Sequence, residues 1–161
     1  MKPSMAARVR AKPSAFDIPE VPIALFGFLL NFVWEFWQVP LYGEIPDAPH
    51  WEAVKTCTLA TFGDVVIVLV AFWTAAGLAR DRHWVAHPAA GVVAAFVAVG
   101  VSITLAAEYL ATEVWDRWSY GDLMPIIPGL GIGASPVLQW IVVPLALIPL
   151  SRRMLGAQPV Q

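Results

Sequence analysis

Apolar positions run through the chain in three long blocks with few charges, each as long as a membrane-spanning helix. The blocks cover residues 22–42, 57–78 and 90–111. A helix needs about 20 mostly apolar residues to cross the hydrocarbon core of a bilayer. We therefore predict one transmembrane helix from each block.

A fourth block differs from these three because it is rich in helix-breaking residues. Residues 124–150 carry no charge, yet they include five prolines and three glycines. Proline removes a backbone donor and glycine loosens a helix, so both interrupt regular structure. We predict a broken or re-entrant segment over 124–134, followed by a fourth helix over 136–150 that is short for a full span.

The composition agrees with an integral membrane protein. The 161-residue chain is 58% hydrophobic and only 14% charged, with a formal net charge of -2, and its mean hydropathy is +0.66. Soluble domains carry about 25% charged residues. The predicted fold is an all-α, four-helix transmembrane bundle over residues 21–150, with polar tails at 1–20 and 151–161. No nucleic-acid partner is expected, because the basic residues are few.

The basic residues predict the orientation of the bundle. Lysine and arginine are retained on the cytoplasmic side of a membrane, and in this topology eight of the ten fall on one side, while Lys55 and Arg117 are the exceptions. We therefore predict a multi-pass protein of the bacterial inner membrane with both termini in the cytoplasm. The eight residues are Lys2, Arg8, Arg10, Lys12, Arg80, Arg82, Arg152 and Arg153.

Three carboxylates lie inside the predicted spans without a basic residue nearby in the same span. They are Glu35, Asp64 and Glu108. An acidic side chain at the centre of a spanning helix costs about 2.5–3.5 kcal/mol on insertion scales. Three of them indicate a function, and we predict them as catalytic residues.

The carboxylates belong to polar stripes on their helices. Residues at i, i+4 and i+7 share one helix face, and lipid does not solvate polar faces, so the stripes should meet inside the bundle. All three acids then lie at similar depth, towards the outer surface. The residues predicted to bind a substrate there are Asn31, Trp34, Gln38, Thr61, Thr104, Gln139 and Trp140.

Plainer interpretations of these residues stay open. Polar side chains between membrane helices often only hold the helices together, and Trp residues often anchor a helix at the interface. The lone cysteine, Cys57, excludes an internal disulfide. Neither Cys57 nor His50 has the spacing of metal ligands, so we predict no metal and no cofactor.

Acids and aromatic rings in one pocket suit a specific chemistry. A protonated carboxyl group can donate a proton to an alkene or epoxide, and an ionised one can accept a proton afterwards. Tryptophan faces stabilise the positive charge in between. The sequence therefore predicts acid–base catalysis, such as isomerisation, cyclisation or hydration, on a lipid-soluble, isoprenoid-like substrate.

Two other functions fit the same pattern. Convergent acids could bind protons or cations in a transporter, where broken helices are common. The polar stripes could also contact the helices of a partner, which would make the chain an accessory subunit of a larger complex. Membrane lipid is the predicted surrounding partner, and a homodimer or a partner subunit is compatible with either function.

Short stretches of the chain resemble known proteins. The NFVWE stretch, with Asn31, Trp34 and Glu35, resembles the small membrane-bound terpene cyclases, which are longer and have more spans; the resemblance implies that Glu35 is a proton donor. A larger part of the chain is similar to small uncharacterised bacterial membrane proteins, and this similarity implies a family without an activity. The shared stretches are WEFWQVPLY, CTLATFGD and YGDLMPIIPGLGIGASPVLQW.

Overall fold

The computed structural model describes residues 17–156, and its main elements are four long helices. They are α1 (Glu20–Gln38), α2 (His50–Ala79), α3 (Ala90–Tyr109) and α4 (Ala134–Gly156). A short 3-10 helix extends α1 to Leu41, and a π-helical turn extends α3 to Val114. Each of the four is long and apolar enough to cross a membrane. The predicted all-α, four-helix bundle is confirmed.

The helices close a ring. α2 packs against α1 and α3, and α4 packs against the same two helices from the other side. Contacts between the helix ends show how the chain alternates in direction. Arg82, just after α2, donates from Nε to Glu20 Oε1 at the start of α1 over 2.7 Å, while Tyr42, just after α1, pairs with Tyr120, beyond α3.

Two helices are longer than the apolar blocks that predicted them. α2 begins at His50, and its first turns contain an exposed ion pair between Glu52 and Lys55, with N and O atoms 2.8 Å apart. α4 reaches Gly156 and contains Pro144 and Pro149 without ending. The apolar blocks therefore placed the start of α2 and the end of α4 too far inside the helices, because charged residues continue both of them.

The predicted break before α4 is a turn. Ile126 and Gly133 form an isolated bridge, and the amide of Ile127 donates to the carbonyl of Ile132 over 2.8 Å. Gly129 and Gly131 have φ angles of 83° and 69°, which glycine adopts without steric cost. The glycines thus reverse the chain just before α4 starts.

One half of the bundle is filled by apolar side chains, and we call it the packed half. Its centre is a row of aromatic contacts in which Phe72 stacks on Trp84 and Phe96 contacts both Trp84 and Trp140. A side chain at Gly100 would lie 2.0 Å from the Trp140 ring, so only glycine lets this ring lie against α3. The packed half comprises Ile23, Val68, Ala71, Phe72, Ala75, Trp84, Val85, Phe96, Trp140, Val143, Leu147 and Ile148.

The predicted tails are mostly outside the described residues. Residues 1–16 and 157–161 are not described, and with them the basic residues Lys2, Arg8, Arg10 and Lys12.

Candidate functional site

The other half of the bundle, which we call the polar half, encloses a cavity of about 460 Å³. Glu35 of α1, Asp64 of α2 and Glu108 of α3 all line it. The cavity is thus bordered by carboxylates from three different helices. Further polar and aromatic lining residues are Gln38, Tyr42, Thr104, Arg117, Trp118 and Gln139.

Two of the carboxylates form a pair. Glu35 and Asp64 lie within hydrogen-bonding reach of each other, and each also accepts from an amide. Gln38 donates to Glu35 Oε1 over 2.8 Å, and Gln139 donates to Asp64 Oδ2 over 3.0 Å. A hydrogen bond between two carboxyl groups requires one proton, because ionised carboxylates only accept.

A second layer of hydrogen bonds fixes the two amides. Gln139 Nε2 also donates to Asn31 Oδ1 over 2.8 Å, and Asn31 donates to the carbonyl of Gly27 over 2.9 Å. Ser135 donates to Gln38 Oε1 over 2.8 Å, and Trp34 donates to the same oxygen over 3.2 Å. These contacts join α1, α2 and α4 into one buried network around the carboxylate pair.

The third carboxylate has different partners. Glu108 Oε2 accepts from the Tyr120 hydroxyl over 2.7 Å and from the Trp118 indole over 3.3 Å. Both donors come from the segment after α3 rather than from a helix. Glu108 thus bonds a phenol and an indole, whereas Glu35 and Asp64 bond each other and two amides, so the surroundings of Glu108 differ from those of the pair.

The chain turns back sharply to bring these donors to Glu108. After the π-helical turn Leu110–Val114, Asp116 adopts a left-handed φ of 49°, a conformation that Asp tolerates better than most residues. The amide of Arg117 then donates to the carbonyl of Ala111 over 2.8 Å. Single π-helical turns are frequent at functional sites.

A backbone clamp holds the returning segment in place, and we call residues 41–44 with 119–121 the loop clamp. Gly43 N donates to Ser119 O over 3.0 Å, and Gly121 N donates to Leu41 O over 2.9 Å. A side chain at Gly121 would come within 3.2 Å of the Tyr42 carbonyl, so glycine permits this approach. Glu44 completes the clamp by accepting from both the amide and the hydroxyl of Ser119.

Ionisable groups of the loop clamp have shifted pKa values. Hydrogen bonds from Ser119 lower the pKa of Glu44. Burial raises the pKa of Tyr42. Burial and the hydrogen bond to Glu108 raise the pKa of Tyr120. Both phenols therefore stay protonated, and Tyr120 remains a donor to Glu108.

One basic residue lies at the rim of this acidic cavity. Arg117 lines the cavity and is exposed at its surface. Within residues 17–156 its side chain forms no ion pair with the three carboxylates. The cavity therefore has an acidic wall and a cationic rim.

The structure brings six of the ten predicted site residues to the cavity and places four elsewhere. The six are Glu35, Gln38, Asp64, Thr104, Glu108 and Gln139. Asn31 and Trp34 support the two amides from outside the cavity wall. Thr61 is buried and donates to the carbonyl of Cys57 in its own helix. Trp140 points into the packed half.

Sequence reasoning missed several residues of the site. Tyr42, Arg117 and Trp118 line the cavity, while Tyr120 and Ser135 bond residues that line it. Tyr42 and Tyr120 were not predicted as site residues, and Trp118 had the pattern of an interfacial anchor. Ser135 and Arg117 also received no role. Tyr42 continues the polar stripe of α1, four residues after Gln38. The others reach the site through the segment after α3 and the start of α4, and no local periodicity signals those contacts.

The described residues contain no group of three His, Cys, Asp or Glu side chains arranged to hold a metal ion. Comparison with protein-family models, curated proteins and solved structures found no match to this chain.

Proposed function

We propose that this chain is an integral membrane enzyme that performs acid–base chemistry on a small lipid-soluble molecule held in the polar half. One observation carries the proposal. Three carboxylates from separate helices line one cavity, and their hydrogen bonds divide them into a pair and a single group. Carboxylates in contrasting environments are a common basis for separate acid and base roles.

The pair supplies the acid. Glu35 and Asp64 share a proton across their contact, and this proton is available to a substrate carbon or oxygen at the cavity wall. Transfer of the proton to a carbon–carbon double bond forms a new C–H bond and leaves a carbocation. Both carboxylates of the pair are then ionised, and the amides of Gln38 and Gln139 remain bound to them and stabilise the added negative charge.

Glu108 supplies the base. Its second oxygen, Oε1, accepts a proton from the carbon next to the cation, and the C–H electrons form the new double bond. The result is an isomerised alkene; capture of the cation by water or by a second double bond would instead give hydration or cyclisation. The proton then returns from Glu108 to the pair, so the enzyme is regenerated.

The cavity wall suits a cationic intermediate. The rings of Tyr42 and Trp118 line it and contact each other with centroids 6.5 Å apart. A cation over an aromatic face gains about 2 kcal/mol when water is excluded. The volume of about 460 Å³ also lies within the range of small-molecule sites.

The two other functions receive less support. A conduit needs polar groups through the whole membrane thickness, whereas the packed half is filled by aromatic and aliphatic side chains. An accessory subunit would direct its polar stripes towards a partner, whereas Gln139 of α4 bonds Asn31 of α1 and Asp64 of α2 within this chain. We place the protein in the bacterial inner membrane with both termini in the cytoplasm, as its basic residues predict.

Solvent deuterium tests the proposed chemistry whichever lipid is the substrate. Membranes that contain the protein are incubated in D₂O with a bacterial isoprenoid extract, and mass spectrometry identifies molecules that gain deuterium on carbon. We expect such a product with the wild-type chain and none with Glu35→Gln. Glu113→Gln is the matched control, because Glu113 is exposed and does not line the cavity. Folded wild-type protein without any deuterated product would refute the proposal.

A further inference from the structure

The cavity wall is open to the side of the bundle at two small residues. Gly63 of α2 and Ala107 of α3 both line the cavity, and both are exposed rather than buried. Leu59, one turn before Gly63, also lines the cavity and is 71% exposed. A residue that belongs to both surfaces marks a place where the cavity meets the surroundings.

The opening lies between α2 and α3. The opposite flank of α2 faces α1, because Phe62 packs against Phe28 with ring centroids 5.3 Å apart. Gly63 is next to Asp64 and Ala107 is next to Glu108, so the opening is level with the carboxylates. Both positions lie well inside the candidate membrane spans His50–Ala79 and Ala90–Val114, where the surroundings are lipid chains rather than water.

Packing does not require the glycine at position 63. An added Cβ would meet nothing within 4 Å, whereas glycine weakens a helix interior. The absent side chain instead leaves the gap between the two helices free.

A second observation indicates a ligand at the same wall. Thr104 lines the cavity and is 7% exposed, but its hydroxyl has no hydrogen-bond partner among residues 17–156. Other hydroxyls on α2 and α3 donate to the carbonyl one turn earlier, as Thr61, Thr74 and Ser102 do. A buried hydroxyl without a partner is costly, so a ligand oxygen beside Thr104 would satisfy it.

We propose that an uncharged lipid bearing a hydroxyl or carbonyl oxygen reaches the cavity sideways from the bilayer, between α2 and α3, and that its oxygen bonds the Thr104 hydroxyl. This proposal rests on the proposed function only for the identity of the site. In this proposal the lipid does not enter past Arg117, which lies in the loop segment after α3. The opening is named the lateral portal, formed by Leu59, Gly63 and Ala107.

Photolabelling with an isoprenoid alcohol tests the portal independently of catalysis. A diazirine analogue of farnesol is added to wild-type protein in lipid nanodiscs, and the labelled peptides are identified after irradiation. We expect labels on the cavity segments of α2 and α3. Gly63→Leu and Ala107→Leu should lose this labelling because their side chains fill the portal.

Matched controls separate a blocked portal from a disturbed helix. Gly77→Leu is the control on α2, because Gly77 is exposed and an added Cβ would meet no described atom within 4 Å. Ala106→Leu is the control on α3, because Ala106 is exposed beside Ala107 and does not line the cavity. Both should keep the wild-type labelling. Unchanged labelling in Gly63→Leu and Ala107→Leu, or wild-type labels outside the cavity, would overturn the portal.

The Thr104 contact has its own test. Thr104→Val keeps the shape but removes the hydroxyl, so competition by unlabelled farnesol should require about tenfold more alcohol, as expected for one lost hydrogen bond. Thr104→Ser should restore the wild-type value, and equal competition in all three proteins would contradict the contact. Portal-dependent labelling without deuterium transfer would refute the proposed chemistry and leave the portal intact. Deuterium transfer combined with labelling that Gly63→Leu and Ala107→Leu do not change would refute the portal and leave the chemistry intact.

Discussion

The packed half and the polar half are built from the same four helices, yet glycine has opposite roles in them. In the packed half, a side chain at Gly100 would collide with the Trp140 ring at 2.0 Å, whereas in the polar half Gly63 has nothing within 4 Å. The first glycine permits close packing and the second leaves a gap. The packed half therefore depends on close contact between side chains, whereas the polar half keeps an open cavity.

The two halves also differ in what stabilises them. Lipid chains are as apolar as the side chains of the packed half, so membrane helices associate mainly through van der Waals packing and polar contacts. Packing dominates around Phe72 and Trp84, whereas hydrogen bonds dominate around Glu35 and Asp64. Substitutions that remove volume should therefore act on the first half, and those that remove hydrogen bonds on the second.

The largest effect is expected at Gly100. Gly100→Leu forces a side chain into the rigid Trp140 ring, and overpacking costs about 3 kcal/mol or more when no flexible group can yield. The protein should no longer yield a monodisperse species in mild detergent, as gel filtration would show. Gly91→Leu is the control on the same helix, because Gly91 has nothing within 4 Å. Similar behaviour of the two variants would contradict the distinction between the glycines.

Removal of volume at Phe72 should come next. Phe72 is fully buried, and Phe→Ala substitutions cost about 3–5 kcal/mol in cores, with the lower end expected where lipid solvates the unfolded helices. The free energy of unfolding in mixed micelles measures the loss. Leu78→Ala, at a position 68% exposed on the same helix, should change it by about 0.5 kcal/mol or less.

Gln139 should show an intermediate effect. Gln139→Leu leaves Asn31 Oδ1 and Asp64 Oδ2 without their donor, and an unpaired buried acceptor costs about 1–3 kcal/mol. Combined with Asn31→Leu, the loss should be smaller than the sum of the two single losses, because the two side chains share one hydrogen bond. Strict additivity in the same unfolding assay would show that the network does not act as a unit.

The smallest effect is expected at the loop clamp, where it depends on pH. The folded pKa of Glu44 is lowered from 4.5, so its contribution is complete above the unfolded value and is lost as pH falls through the lowered value. Hydrogen exchange of the amides near Ser119 and Gly121 should therefore speed up in acid relative to the rest of the chain. In Glu44→Gln, the exchange rate of these amides relative to the rest of the chain should not change with pH. An acid response equal to that of wild type would exclude Glu44 as the source of the pH dependence.

The sequence predicted the bundle and six of the residues that line the cavity for identifiable physical reasons. Apolar blocks of sufficient length determine the membrane spans almost alone. The i, i+4, i+7 spacing of polar residues predicted that Glu35, Gln38 and Asp64 face the interior of the bundle. The spacing did not separate Thr61 from Thr104, because both lie on polar stripes. Only the finished packing shows that the Thr61 hydroxyl bonds within its helix and that the Thr104 hydroxyl has no partner in the described part of the chain.

Neighbouring residues at the start of α4 show a second limit. Gln139 and Trp140 were predicted to lie at the same depth, yet Gln139 lines the cavity and Trp140 packs against Phe96. Successive helix residues differ by about 100° in direction, so depth alone does not assign them to one surface. Tyr120 could not be predicted for another reason, because its approach to Glu108 depends on backbone pairing with Tyr42 in the loop after α1.

The amide network has a consequence for biogenesis. Chains are made from the N-terminus, so Asn31, Glu35 and Asp64 leave the ribosome well before Gln139, which bonds both Asn31 and Asp64. During this interval α1 and α2 carry polar groups whose donor from α4 has not yet been synthesised. A product that ends before α4 therefore lacks the one side chain that bonds both Asn31 and Asp64.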